Sequence, residues 1–191
     1  MDKILTITNL EKSFHTRDGE IKALESVSFD VREKEFISIV GPSGCGKSTI
    51  LSILADLEEK SNGEINFSKD YTIGYMLQND SLFEWRTVLE NCLLGLEITN
   101  QLTKENKEYV INLLKTYGLE EFIDSYPSRL SGGMRQRVAL IRTLATKPDI
   151  LLLDEAMSAL DYQSRLAISD DIYKIIKKEG KTAIMVTHDI A

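Results

Sequence analysis

The sequence predicts an α/β fold: a mixed β-sheet flanked by helices, with an antiparallel β subdomain and an inserted helical subdomain. Three stretches lead to this prediction. The glycine-rich loop Gly41–Thr49 (GPSGCGKST) follows the apolar run Phe36–Val40 and precedes a helical pattern, which is the context of a phosphate-binding loop. Ile150–Leu153 is an apolar run typical of a fully buried parallel strand. From Thr87 to Glu121 the apolar residues recur at helical spacing, so we expect a block of helices at roughly 79–147.

The composition is that of one ordinary globular domain. The chain has 191 residues, of which 42% are hydrophobic, so we treat 1–191 as a single domain with a sizeable core. The formal net charge of −7 argues against a nucleic-acid partner, since a broad nucleic-acid surface needs many Lys and Arg residues. There is no apolar run of about 18 residues and no leader pattern, so we expect a cytosolic chain. Cys45 and Cys92 form neither a disulfide framework nor a metal-binding spacing, so we expect reduced thiols.

The first elements are predicted to be two antiparallel strands. Ile4–Leu10 and Val27–Val31 alternate apolar and polar residues, and the polar stretch His15–Glu20 is predicted to be a turn. Phe14 ends the first strand and is the aromatic residue of this region that could approach a base bound near the glycine-rich loop. The alternative is a core aromatic beneath a loop.

The glycine-rich loop is predicted to bind the phosphates of a nucleotide. Its glycines allow the backbone to turn so that successive N–H groups point at phosphate oxygens, and the dipole of the following helix adds to the attraction. Lys47 would reach the terminal phosphates, and Ser48 would complete a Mg²⁺ shell made otherwise of water and phosphate. The alternative is a Gly/Ser-rich turn that happens to contain a lysine. The residues predicted to hold the nucleotide here are Gly41, Pro42, Ser43, Gly44, Cys45, Gly46, Lys47, Ser48 and Thr49.

The remaining elements are predicted from the alternation of apolar and polar residues in strands and from the helical spacing of apolar residues, with Gly, Pro and Asn marking the breaks between elements. Ser131 is expected to cap a helix that begins within Leu130–Arg137, and Pro148 to end it. We expect further strands at Glu64–Phe67, Tyr71–Met76 and Ala183–Thr187, and further helices at Ile50–Leu57 and Gln163–Lys178.

Polar residues suited to catalysis follow the predicted strand ends, where α/β folds place their ligand sites. Asp154 would hold Mg²⁺, and Glu155 would orient an attacking water. Gln78 would reach the metal or the water through its amide oxygen, and His188 would donate to a γ-phosphate oxygen. Each has a simpler interpretation: the carboxylates could complement a helix dipole, Gln78 could be a loop residue, and His188 a surface histidine.

Together with these residues, the LSGG tetrapeptide Leu130–Gly133 and the following Gln136-Arg137 resemble the ATP-binding subunit of ABC transporters, over essentially the whole chain. The resemblance implies an ATPase with the cofactors ATP and Mg²⁺. Two glycines at a helix start agree with it, because they expose N–H groups to an anion. By resemblance, Phe14 stacks on adenine, Gln78 is the Q-loop glutamine, Ser131, Gly132 and Gly133 form the signature, Ser158–Asp161 form the D-loop, Glu155 is the general base, His188 is the switch histidine, Lys47 is catalytic, and Ser48, Gln78 and Asp154 are metal ligands.

The same resemblance implies an assembly. In this family the phosphate-binding loop of one subunit and the signature of another close on the same ATP, so we expect a dimer of ATP-binding subunits. The segment Gly74–Glu97 is similar to importer ATPases of the nitrate, sulfonate and taurine group, which includes carriers of vitamin precursors. We therefore expect a transmembrane permease to dock near Gln78–Glu97 at the cytoplasmic face of the membrane, with an extracytoplasmic solute-binding protein in the same system. The alternative for Phe83 and Trp85 is ordinary packing of the helical subdomain.

Some positions depart from the family pattern. Phe14 replaces a more common tyrosine, Ala156-Met157 follow Asp-Glu where proline is usual, and Asp56 replaces a glycine after the loop helix. The sequence ends at Ala191, whereas family members continue with further helices and strands, so we expect a fold truncated at the C-terminus. Two other functions stay open: a soluble ABC-type ATPase acting on ribosomes or DNA, and an inactive nucleotide-binding module.

Overall fold

The fold contains seven strands and five α-helices within residues 2–16, 19–155 and 162–187, which are the parts of the chain that the computed structural model describes. Two short 3₁₀ turns, Glu120–Phe122 and Pro127–Arg129, precede the fourth helix. The strands are β1 Lys3–Thr16, β2 Gly19–Arg32, β3 Phe36–Val40, β4 Asn62–Phe67, β5 Ile73–Met76, β6 Ile150–Asp154 and β7 Thr182–Thr187, and the helices are α1 Lys47–Leu54, α2 Val88–Ile98, α3 Lys104–Thr116, α4 Gly132–Ala145 and α5 Tyr162–Lys178.

The strands form two separate sheets in the described part of the chain. One is a parallel sheet of order β3-β7-β6-β5, and the other is an antiparallel sheet of order β2-β1-β4. The α/β fold expected from the sequence is therefore confirmed. The parallel sheet aligns the carboxyl ends of its strands along one edge, and this edge is where a ligand site is expected in such folds.

The two N-terminal strands are much longer than the sequence pattern indicates. Ile4–Leu10 was expected, and β1 runs to Thr16 because the pairing with β2 continues across register shifts. At these irregularities Asn9 and Ser26 adopt positive φ angles of 49° and 53°. Bulges of this kind change which face successive side chains occupy, so the period-two pattern breaks although the strand continues.

The helix after the glycine-rich loop begins and ends about one turn earlier than expected. It was predicted at Ile50–Leu57, and α1 spans Lys47–Leu54. Its end is fixed by two backbone bonds, from Asp56 N–H to Ile53 O at 3.1 Å and from Leu57 N–H to Ser52 O at 2.9 Å. This is the Schellman pattern of a helix C-terminus.

Two hydrophobic cores lie on opposite faces of the parallel sheet. Ile150 and Leu152 of β6 pack with α1 and the antiparallel sheet, whereas Leu151 and Leu153 pack with helices α2–α5. Because both of its faces are covered, all five residues of β6 are buried. Asp154 therefore stands at the end of the most enclosed strand of the site.

Candidate active site

A polar cleft lies at the carboxyl ends of the parallel strands. β3 leads into the glycine-rich loop, β6 ends at Asp154, and Gln78 follows β5. The cleft has a volume of about 460 Å³, within the range of small-molecule sites. The described residues that line it are Phe14, Ala23, Ser43, Gly44, Gly46, Lys47, Ser48, Thr49, Gln78 and Glu155.

The glycine-rich loop is held in a conformation that requires glycine at Gly46. Gly46 is the N-cap of α1 and has a φ of 91°. A Cβ atom there would lie 2.2 Å from the carbonyl oxygen of Ala23, so any other residue would both strain and clash. This close approach to β2 fixes the direction in which α1 leaves the loop.

Lys47 points back into the loop that it belongs to. It is only 5% exposed, and its Nζ donates to the carbonyl oxygens of Gly41 and Pro42, each at 2.8 Å. The Sγ of Cys45 lies 3.9 Å from the same Nζ. The buried ammonium of Lys47 thus places a positive charge at the centre of the loop, beside the backbone N–H groups that would face an anion.

Each of the two carboxylate oxygens of Asp154 accepts a hydrogen bond from a hydroxyl group. Ser48 Oγ donates to Oδ1 at 2.7 Å, and the Tyr75 hydroxyl donates to Oδ2 at 3.0 Å. Burial raises the pKa of Tyr75 to about 12, so this phenol keeps its proton at neutral pH. Ser48 and Asp154 were both predicted to lie at the metal, and the structure brings them together. Tyr75 was not predicted, because its partner is 79 residues away and no local motif marks it.

The pair formed by Ser48 and Asp154 is suited to Mg²⁺. Hydroxyl and carboxylate oxygens are hard ligands, and Mg²⁺ in nucleotide sites takes one or two of them and keeps water and phosphate for the rest. Within residues 2–16, 19–155 and 162–187, no group of three or more His, Cys, Asp or Glu side chains is arranged to hold a metal. Ser48 and Asp154 would hold such a cation together with water and the phosphates of a nucleotide, as the sequence predicts.

Glu155 lies between Lys47 and Gln78. Its Oε1 is 3.8 Å from Lys47 Nζ, and its Oε2 accepts from Gln78 Nε2 at 3.1 Å. The predicted metal contact of Gln78 uses the amide oxygen, whereas the contact seen here uses the amide nitrogen. Glu155 also has a φ of 40°, and such strain in a non-glycine residue is concentrated at functional sites.

Phe14 lines the cleft as predicted for a residue near the base. Its ring lies beneath the ammonium of Lys12, whose Nζ is 4.7 Å from the ring centroid. Lys12 Nζ also forms a salt bridge with Glu58 Oε1 at 2.7 Å. The ring is partly buried and belongs to neither hydrophobic core of the described residues, so its place in the cleft wall favours the first interpretation of Phe14; stacking on a base stays a prediction.

The signature lies apart from the cleft of its own chain. Ser131 caps α4 by accepting from Met134 N–H at 3.3 Å, as expected for the helix start. Of the described residues that line the cleft, none belongs to Ser131, Gly132 or Gly133. The first turn of α4 therefore presents its N–H groups elsewhere.

An ion pair links this helix to the loop after Gln78. Arg135 donates to both carboxylate oxygens of Asp80, at 2.8 and 3.0 Å, and Arg142 donates to the Asp80 carbonyl at 2.6 Å. Burial acts to raise the pKa of Asp80, but the hydrogen bonds from Arg135 and from Leu82 N–H outweigh it and the pKa is lowered. This contact was not predicted from the sequence, and it couples the position of α4 to that of the Gln78 segment.

Two predicted features lie outside the described residues. They are the switch histidine His188 and the D-loop Ser158–Asp161. Their roles stay predictions.

The sequence is similar to known proteins over nearly its whole length. The profile of the ABC transporter family matches residues 24–158, more than half of the chain. The chain is 45% identical over 192 residues to the ABC transporter ATP-binding protein YtlC of Bacillus subtilis, covering 97% of this chain and 74% of that protein. It is 38% identical over 193 residues to the taurine import ATP-binding protein TauB of Roseobacter denitrificans, covering 97% of this chain and 72% of that protein.

The fold agrees with the sequence comparison. A dimeric structure of the ATP-binding cassette MJ0796, in a post-hydrolysis state bound to ADP and Pi, matches with a TM-score of 0.79 and 34% identity. The match covers 97% of this chain and 88% of that one. The family resemblance seen in the sequence motifs is thus confirmed: the chain belongs to the ABC transporter family, as an ATP-binding subunit and an ATPase that powers transport.

Proposed function

We propose that this chain binds ATP with Mg²⁺ in the cleft and hydrolyses it to power solute import. The observation that carries the proposal is the convergence of five side chains at one edge of the parallel sheet. Lys47 and Gln78 both approach Glu155, and Ser48 donates to Asp154. These side chains supply a cation, a metal-binding pair and a carboxylate base, the parts that phosphoryl transfer requires.

The phosphate side of the site would use Lys47 and the loop backbone. Lys47 would exchange its bonds to two loop carbonyls for bonds to the terminal phosphates, where its charge stabilises the transition state. Ser48 and Asp154 would hold Mg²⁺. The bound ion would supply positive charge against the negative charge that develops on the phosphates.

The water side of the site would use Glu155. Its carboxylate would accept the proton of the attacking water, and Gln78, which contacts that carboxylate, would orient both. His188 is proposed to donate to the γ-phosphate, as its resemblance to the switch histidine implies. Phe14 would stack on the adenine at the far end of the cleft.

The test is ATP hydrolysis by the Glu155→Gln variant. Removing the base while keeping the shape of the side chain should lower turnover by roughly 10²–10⁴-fold and leave ATP binding intact. Turnover and nucleotide binding are measured on the same preparation, with Glu64→Gln, at an exposed position of β4, as the matched control. Wild-type turnover in Glu155→Gln would show that Glu155 is not the base.

We also propose that the working unit is a dimer. The signature Ser131–Gly133 lies outside the cleft of its own chain, so a second subunit would be needed to bring a signature to the bound ATP. The similar cassette MJ0796 is a dimer with ADP and Pi bound. Glu155→Gln should therefore form a dimer on sizing when ATP is added, because it traps the unhydrolysed nucleotide.

A permease subunit is proposed to dock on the segment Gln78–Glu97. Trp85 is 73% exposed and stacks on Phe83, with their ring centroids 4.8 Å apart. Exposed aromatic pairs of this kind are typical of protein interfaces. Arg86 instead lies along α2 and pairs with Glu97 at 2.7 Å. None of the described helices is long and apolar enough to cross a bilayer, and attachment to the cytoplasmic face of the membrane is proposed to occur through the permease.

The docking proposal predicts uncoupled variants. Trp85→Ala and Arg86→Ala should lose ATP-driven transport while ATP binding by the isolated chain stays unchanged. Transport by each variant is measured with the permease reconstituted in vesicles, and ATP binding is measured on the isolated chain. Leu57→Ala is the matched control, since Leu57 is nearly as exposed as Trp85, at 67%, but follows α1 and lies outside the segment Gln78–Glu97. Full transport in both docking variants would contradict this surface assignment.

The solute is proposed to be a small anion such as nitrate, a sulfonate or taurine, or a vitamin precursor. The similarity to the taurine importer subunit supports this class. The specificity is proposed to lie in the permease and in an extracytoplasmic solute-binding protein. Calorimetric titration of that binding protein with taurine, nitrate and a pyrimidine precursor tests the proposal, and failure of all three to bind would contradict it.

A further inference from the structure

Two hydroxyl groups and one carboxylate form a hydrogen-bonded chain that links α1 to strands β5 and β6. Tyr75 and Ser48 each donate to one oxygen of Asp154, at 3.0 and 2.7 Å. Asp154 is therefore held both from α1, the helix that follows the phosphate-binding loop, and from β5.

The hydroxyl of Tyr75 is not needed for packing. The ring is partly buried against the core beneath α1, a place that phenylalanine would fill equally well. In the parallel pairing of β5 with β6, Tyr75 stands beside Leu152, so its side chain reaches forward along the strands to meet Asp154. The polar end of this side chain is thus directed at a single carboxylate oxygen.

We propose that Tyr75 is a positioning residue for the metal-binding carboxylate of Asp154. This inference rests on the proposed binding of Mg²⁺ with ATP. Ser48 is a proposed metal ligand, so its bond to Oδ1 is the one that cation binding would disturb. Tyr75 would keep its hydrogen bond to Asp154 Oδ2 while the cation binds. This bond would hold Oδ1 in its direction toward Ser48, so the carboxylate would not need to reorient. Partners of this kind commonly change metal affinity by about 10- to 100-fold when they are removed.

The test compares Tyr75→Phe with a matched tyrosine. Mn²⁺ is titrated into each protein with a saturating non-hydrolysable ATP analogue and followed by electron paramagnetic resonance, and analogue binding is measured separately in EDTA. Tyr75→Phe should weaken Mn²⁺ binding by about 10- to 100-fold and leave analogue binding in EDTA unchanged. Tyr71→Phe is the control, because the Tyr71 hydroxyl contacts Ser68 instead, at 2.8 Å.

Unchanged Mn²⁺ affinity in Tyr75→Phe would overturn the assignment. Should that variant fail to fold, judged by circular dichroism, Tyr75→Met decides: it also lacks the hydroxyl, but its flexible side chain adapts to the space of the ring, and wild-type Mn²⁺ affinity in it would equally overturn the assignment. If the wild type itself did not bind Mn²⁺ with the nucleotide, the proposed function would fail, and this inference with it. A wild-type site that binds Mn²⁺ normally separates the two failures.

Discussion

The two cysteines show how strongly chemistry depends on the position of a single residue. Cys45 is exposed in the glycine-rich loop, and its Sγ lies 3.9 Å from Lys47 Nζ. Cys92 belongs to α2 and is fully buried against α4, and burial raises its pKa to about 12. Because the thiolate is the reactive form and must meet the reagent, only Cys45 is in a position to react.

Alkylation with N-ethylmaleimide should therefore modify Cys45 alone and nearly abolish ATP binding. The added group would occupy the space beside Lys47 that the phosphates require, and bound ATP should protect the thiol. Mass spectrometry of the modified peptide, together with nucleotide binding, checks this. Cys45→Ser should resist the reagent, whereas Cys92→Ser should be inactivated like the wild type. Equal labelling of both cysteines in the folded protein would contradict the prediction.

The sequence predicts a site residue well when one motif carries it. Lys47 and Ser48 belong to the loop pattern, and Asp154 ends a recognisable buried strand, so their meeting follows from the strand order of such folds. Tyr75 and Lys12 were missed for a common reason. Each acts through a partner distant in sequence, Asp154 or Glu58, and neither periodicity nor a short motif records a contact of that range.

At the scale of elements, the helix ends share one feature. The five α-helices of the described part each end two residues before a residue with a positive φ angle. Glycine adopts this conformation without strain, whereas other residues do so at a cost. The residues at these five positions are Asp56, Asn100, Gly118, Lys147 and Gly180.

Asp56→Gly should stabilise the protein by about 0.5 to 1 kcal/mol. Asp56 is exposed, has a φ of 58°, and follows the C-terminus of α1, where its negative charge also opposes the helix dipole. For a chain of this size the gain corresponds to a rise in Tm of roughly 1 to 4 °C, measurable by calorimetry.

Two further variants make this stability test specific. Asp56→Asn removes the charge but keeps a side chain at positive φ, so it should fall between the wild type and Asp56→Gly. Gly118→Ala is the reverse change at the end of α3, where a Cβ would meet nothing within 4 Å. It should lower stability by about 1 to 2 kcal/mol through backbone strain alone. A lower Tm in Asp56→Gly would refute the argument.

Element boundaries were predicted less well than element types. Gly118 and Gly180 are glycines, which are typical helix stops in a sequence, and they follow the ends of α3 and α5 with positive φ angles in the structure. Asp56 gives no such signal, and the end of α1 was accordingly placed too late. The lengths of β1 and β2 were underestimated for a related reason, since the bulges near Asn9 and Ser26 are features of strand pairing and leave no regular trace in either strand alone.

At the scale of the whole molecule, the parallel sheet separates two packing regions that carry different parts of the site. The region with α1 and the antiparallel sheet holds the phosphate-binding loop and Phe14, whereas the helical region holds the signature on α4. The segment after Gln78 joins them through the ion pair of Asp80 with Arg135. Within one chain this ion pair links the two regions, although the described residues that line the cleft include none of the signature.

Mixing two inactive variants should consequently restore ATP hydrolysis. In a mixed dimer of Lys47→Ala and Ser131→Arg chains, one site combines both lesions and the other combines an intact loop with an intact signature. Co-purified mixed dimers with two different tags should therefore hydrolyse ATP, although each variant alone does not. The control pairs Lys47→Ala with Glu155→Gln, which damages the loop side of both sites and should give no recovery. If the signature served its own chain, both sites in the mixed dimer of Lys47→Ala and Ser131→Arg would carry a lesion. Absence of ATP hydrolysis by that mixed dimer would therefore exclude the shared-site dimer.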